Sequence, residues 1–99
     1  MGEHMVFLLA RFKAQSGKED ALLILLESVV MAARNELGCV EYELHKENNK
    51  RGHFVFFKKF VDNDAYEKHQ NTIHYKRLMR EAPKLISTQP EIIILSKHL

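Results

Sequence analysis

The sequence predicts an α+β fold of the ferredoxin-like kind, βαββαβ, with an antiparallel sheet and helices on one face. Three observations carry this reading. Four segments have strand length and strand patterning, two regions repeat apolar residues at helical spacing, and a polar cluster joins the second strand to the third as a hairpin. A chain of 99 residues closes one hydrophobic core, so residues 1–99 are read as a single domain. Residues 1–4, ahead of Met5, are read as either a cloning remnant or a genuine start.

The first strand, residues 5–13, puts Val6, Leu8, Ala10 and Phe12 on one face and Phe7 and Leu9 on the other, so both faces are expected to be buried over its first half. Ser16 and Gly17 end it. From 18 to 37 apolar residues recur at helical spacing (Ala21, Leu22, Leu25, Leu26, Val29, Val30, Ala33), and Gly38 stands where a left-handed helix cap is expected. Residues 39–47 alternate as a strand, with Val40, Tyr42 and Leu44 on one face and Glu41, Glu43 and His45 on the other. Asn48 to Gly52 has hairpin-loop composition, and residues 53–61 resume β character.

Asp62 or Asn63 caps a helix carrying Ala65, Tyr66 and His69; the backbone is expected to loosen at Asn71 and Thr72 before helix returns through Tyr75, Leu78 and Met79. Pro83 lies within or just after that second piece. Residues 91–97, with Ile92, Ile93, Ile94 and Leu95, make the last strand. The sheet face without helices would then show side chains from the first and third strands, more apolar surface than a soluble monomer exposes, which predicts a homodimer packed through those faces.

Composition excludes several classes. Hydrophobic residues at 45% and charged residues at 28% fit a folded globular chain. A net charge of +2 is too small and dispersed for a nucleic-acid footprint. The oily stretch 21–33 is interrupted by Glu27 and Ser28 and is shorter than the roughly 20 apolar residues of a membrane span. The single cysteine, Cys39, makes no intramolecular disulfide, and with no secretory pattern at the start a cytoplasmic location is expected. Gly2, Gly17, Gly38 and Gly52 are too scattered for a phosphate or dinucleotide loop.

Six histidines raise the question of a metal, but their spacing supplies no ligand set. His69 and His74 would stand about 140° apart on one unbroken helix. His45 and His53 would face each other if the hairpin loop were centred on Asn49, with no third ligand; His4 and His98 lie at the termini. The segment from His69 to Tyr75 gathers two imidazoles, a hydroxyl, two amides and a phenol in a helix break, a place where side chains reach a cavity. Tyr42, Phe54, Phe56 and Phe60 would line one face of the hairpin, which suits ordinary core packing or the wall of a ligand pocket; Lys58 shares that face, entering a cavity or snorkelling to its rim. Cys39 has no base beside it and is read as a packing residue.

The stretch Leu37-Gly38-Cys39-Val40-Glu41-Tyr42-Glu43-Leu44, followed by residues 57–69, resembles the antibiotic biosynthesis monooxygenase domain. The residues carrying the resemblance are Gly38, Cys39, Tyr42, Phe60, Asp62, Ala65 and His69. Thr72-Ile73-His74-Tyr75-Lys76 is similar to the family's Thr-Pro-His stretch, with Ile73 in place of Pro, and is especially similar to its quinol monooxygenase and autoinducer-processing isomerase branches. On the third strand the family commonly carries Glu and Trp, where this chain has Lys58 and Phe60. The resemblance implies a dimeric α+β barrel and chemistry without flavin, haem or metal, in which a bound phenol or quinol loses a proton and the resulting anion passes an electron to O2.

On that footing His69 or His74 suits the base, and Tyr75 or Asn71 the oxyanion donor; Tyr42, Phe56, Lys58, Phe60, Asn71 and Met79 are the expected substrate contacts. Three readings follow: a cofactor-independent monooxygenase acting on a small aromatic quinol or polyketide-like phenol, an isomerase of a small, possibly phosphorylated carbonyl compound, and a non-catalytic ligand-binding dimer.

Overall fold

In the computed structural model residues 4–99 are described, so the N-terminal alternatives lie largely outside them. The elements run β1 (Val6–Lys13), α1 (Glu19–Ala33), β2 (Cys39–Lys46), β3 (His53–Phe60), α2 (Asn63–Gln70), α3 (Ile73–Glu81), a 3-10 turn (Ala82–Lys84) and β4 (Glu91–Leu95). The sheet order is β2-β3-β1-β4, every neighbour antiparallel, as a ferredoxin-like βαββαβ chain requires. No helix among the described residues is long and apolar enough to cross a membrane.

Alternation decides which face is covered. Val6, Leu8, Ala10 and Phe12 of β1, with Phe54, Phe56, Lys58 and Phe60 of β3 opposite them, are all buried beneath the helices. From α1 come Leu22, Leu26, Val29, Val30 and Ala33, one face of an amphipathic helix that packs on β2 and on α3. From α3 and the 3-10 turn come Leu78 and Ala82.

The other face carries no helix. Phe57, Leu9 and Ile93 form one row across three strands, and Phe7 lies between Lys59 and Leu95. Phe7 and Leu9 are half-buried and Arg11 is exposed, so the second face of β1 is less covered than its composition predicts.

Several boundaries differ from expectation. The first helix stops at Ala33 rather than 37: the amides of Asn35 and Glu36 turn back to the Ala32 and Ala33 carbonyls, three residues away, which tightens the chain out of the α-helix. Gly38 is not a left-handed cap. Its need for glycine is steric, because a Cβ there would run into the Ala65 Cβ on α2. The last strand ends at Leu95, two residues before 97.

The hairpin loop is set by Asn49 and Gly52, both at positive φ, and closes with the Glu47 amide on the His53 carbonyl at 3.0 Å. This register places His45 opposite Val55, so the expected His45 and His53 pair does not form. The helix break falls where the sequence places it, between α2 and α3.

Candidate active site

The break is built by side chains. Asp62 Oδ1 accepts the Ala65 amide at 2.8 Å to open α2. Thr72 then closes α2 and opens α3: its hydroxyl donates to the His69 carbonyl at 2.7 Å and accepts the Tyr75 amide at 3.2 Å. The change of helix axis between them brings His74 back toward His69, cancelling the angular separation expected on one continuous helix.

Both imidazoles meet Glu36. His69 Nδ1 lies 2.8 Å and His74 Nε2 2.5 Å from the same carboxylate oxygen, Oε2. An ionised carboxylate only accepts, so each of these ring nitrogens carries a hydrogen, and neutral His69 is the Nδ1–H tautomer with its lone pair on Nε2. That Nε2 is buried and has no partner among the described residues. The His69 ring is wholly buried, with the rings of Phe60 at 5.0 Å, Tyr75 at 5.1 Å, Tyr42 at 5.5 Å and His74 at 5.8 Å, centroid to centroid.

Two further polar groups are held in this apolar enclosure. The Tyr42 hydroxyl is buried without a partner, and burial, aided by the Glu36 charge, pushes its pKa far up, so it remains a donor. Lys58 is only 4% exposed; its Nζ stands 5.6 Å from the Tyr42 ring centroid and 5.5 Å from that of Phe56. Burial lowers its pKa to about 8 against the opposing pull of Glu36. For His69, burial lowers the pKa; the hydrogen bond and charge of Glu36 pull it up, the charges of Lys58 and His74 pull it down, and the net direction is down.

Lys58 and Tyr75 line a small enclosed cavity of about 50 Å3, closed by Phe12, Leu78, Met79 and Ile92. Tyr75 belongs both to this cavity and to the ring cluster around His69. Met79 is 46% exposed and forms the rim. Phe56 and Phe60 are fully buried beneath. Asn71 stands apart from the group: it is exposed, and its amide donates to the Glu67 carbonyl at 3.0 Å. A larger hollow, about 600 Å3 between the start of α1 and the hairpin, holds none of the expected site residues.

Glu36 was not a sequence candidate. It lies in the turn after α1, 33 residues before His69, and no local pattern distinguishes it from a surface glutamate at a helix end.

The profile described as antibiotic biosynthesis monooxygenase matches residues 5–81. A solved protein, PA3566 from Pseudomonas aeruginosa, superimposes with a TM-score of 0.93 at 29% identity, covering 100% of this chain and 99% of that one. Rv0793 from Mycobacterium tuberculosis, which bears the name "putative monooxygenase", is 26% identical over 91 residues, 92% of this chain and 89% of its own length, and its structure superimposes with a TM-score of 0.90. A Synechocystis protein is 23% identical over 82 residues, and the aligned region spans 56% of its length.

Proposed function

The chain belongs to the antibiotic biosynthesis monooxygenase family, and we propose that it is a monooxygenase that oxidises a small aromatic quinol or polyketide-like phenol with O2, using no bound cofactor. The observation that carries this is the unpartnered, buried Nε2 of His69, kept in its basic tautomer by Glu36 on Nδ1. A carboxylate behind an imidazole fixes the ring's orientation and stabilises the imidazolium that forms when the other nitrogen takes a proton.

His69 Nε2 takes the phenolic proton. The Tyr42 hydroxyl, locked in its protonated form, and the Lys58 ammonium stabilise the resulting anion. The anion, rich in electrons, passes one to O2, and the substrate radical and superoxide combine into a C–O–O bond; the O–O bond then breaks as the same carbon gives up its hydrogen, leaving one oxygen atom on the ring carbon as a carbonyl. The other leaves as water with the two hydrogens removed from the substrate. The rings of Phe60, Tyr42 and Tyr75 keep bulk water away from these intermediates. A substrate enters by moving Met79, since the enclosed volume at rest is well below that of ordinary ligand pockets.

The row Phe57, Leu9 and Ile93 on the open face supports assembly as a homodimer, the dimeric α+β barrel implied by the family resemblance. Sedimentation at twice the 11.6 kDa chain mass is the expected result, and a monomer at micromolar concentration would remove this part of the reading.

The direct test is oxygen uptake by the purified protein across a panel of quinols and anthrone-like phenols. Uptake that falls at least a hundredfold in His69→Gln is expected; a wild-type protein inert toward the whole panel overturns the oxygenase reading. One observation favours a second reading: Lys58, a buried cation at the cavity, suits an anionic carbonyl compound undergoing isomerisation. Turnover that proceeds equally without oxygen distinguishes it.

A further inference from the structure

We propose that Glu36, His69 and His74 form a binding site for a divalent transition cation, zinc fitting the donors best, and that the bound cation takes His69 out of service as a base.

The donors come from three separate elements: the turn after α1, the last turn of α2 and the first turn of α3. A Glu36 carboxylate oxygen and one ring nitrogen from each of His69 and His74 all lie within 4.8 Å of one another, and His69 Nδ1 and His74 Nε2 are the nitrogens that already contact Glu36 Oε2. Two imidazoles and one carboxylate are a set that zinc accepts, at about 2.0 to 2.2 Å from each donor, with an open fourth position for water. Calcium and magnesium prefer oxygen throughout, so the two nitrogens select against them. Around a tetrahedral ion such donors stand roughly 3.3 Å apart, so the carboxylate oxygen withdraws from each nitrogen by less than about 1 Å, and the two nitrogens, up to 4.8 Å apart, close by up to about 1.5 Å. His74 and Glu36 are only partly buried while His69 is fully buried, so the adjustment falls to the first two.

Of the three donors, Glu36 lines a surface groove of about 460 Å3 that also carries Asp62 and Asp64. Lys68 neutralises Asp64 at 3.1 Å, which leaves Asp62 and Glu36 as the anionic side chains that draw a cation inward.

The consequence for His69 follows from its two nitrogens. With metal on Nδ1, the hydrogen now on that atom moves to Nε2, which changes from acceptor to donor. His74 makes the mirror-image change, from an Nε2–H to an Nδ1–H tautomer. No proton is gained or lost in either neutral ring, yet the lone pair assigned to the substrate is gone. The binding stands on geometry alone; the loss of activity rests on the reading of His69 as base.

The test uses the full chain, freed of metal with a chelator, with zinc titrated by calorimetry and cobalt(II) used as a visible-absorbing probe of tetrahedral coordination. One ion per chain and a tetrahedral cobalt spectrum are expected. Both Glu36→Gln and His74→Gln should weaken binding at least tenfold, while His45→Gln, on the far hairpin, leaves it unchanged. Thermal melts confirm that the variants fold. Absence of stoichiometric binding, or equal binding by wild type and the two variants, overturns the site. If zinc binds there and oxygen uptake persists undiminished, the site stands and the assignment of His69 as base fails.

Discussion

The two helical regions that cover the sheet bring it opposite kinds of side chain. What α1 lowers onto the sheet is aliphatic: Leu22, Leu26, Val29, Val30 and Ala33. At the α2–α3 junction the buried and half-buried groups are His69, His74 and Tyr75, meeting Glu36, Tyr42 and Lys58. The first set needs no account beyond the removal of apolar surface from water. The second includes buried polar atoms without partners, each of which costs about 1 to 3 kcal/mol. A small fold that keeps such groups beneath the same sheet gives up stability there, and that cost is what makes the junction the candidate site.

The comparison breaks first if the aliphatic half is not the stabilising one. Leu26→Ala is expected to lower unfolding stability by about 3 kcal/mol, in the middle of the range for fully buried leucines; a urea midpoint within error of wild type would remove α1 from its role.

The next largest effect is a pH dependence from Lys58. Its pKa is about 8 in the folded protein against 10.5 when unfolded, so between those values the unfolded chain holds the extra proton. Stability therefore rises with pH from 8 to 10.5 and is lost again as pH falls through 8, a span of roughly 3 kcal/mol as an upper estimate. Comparing urea unfolding of wild type with Lys58→Met isolates this contribution, because the variant lacks the rise; identical curves would mean that Lys58 is solvated.

The smallest effect sharpens the contrast most. Tyr42→Phe removes a buried hydroxyl without a partner and should leave stability unchanged or raise it by about 1 kcal/mol, while oxygen uptake falls about tenfold. A loss of stability instead would show that the hydroxyl is satisfied in solution, and would end its claim to be waiting for a ligand.

Much of this was legible in the sequence, and the division follows the range of the interactions. Alternation in β1 and β3, a cap at Asp62 or Asn63 and the break at Asn71 and Thr72 are written in neighbouring residues, and the structure follows them with Asp62 as the cap; in β2 a register shift between Cys39 and Glu41 leaves Val40 exposed, off the face of Tyr42. The aromatic face of Tyr42, Phe56 and Phe60 with Lys58 on it follows from alternation as well. Three things needed the fold. The end of α1 depends on three-residue hydrogen bonds after Ala33 that no cap residue announces. The His45 register depends on how Asn49 and Gly52 turn the loop. The partnership of Glu36 with two histidines 33 and 38 residues away depends on tertiary packing alone.

Thr72 carries a consequence of an evolutionary kind. A single hydroxyl ends one helix and starts the next. Alanine at this position would favour one continuous helix, on which His74 swings about 140° away from His69. The strands, the α1 core and the matched family pattern would be inherited intact. A gene copy could thus lose the Glu36–His69–His74 cluster through one codon, leaving a descendant that any comparison of folds would still count in the same family.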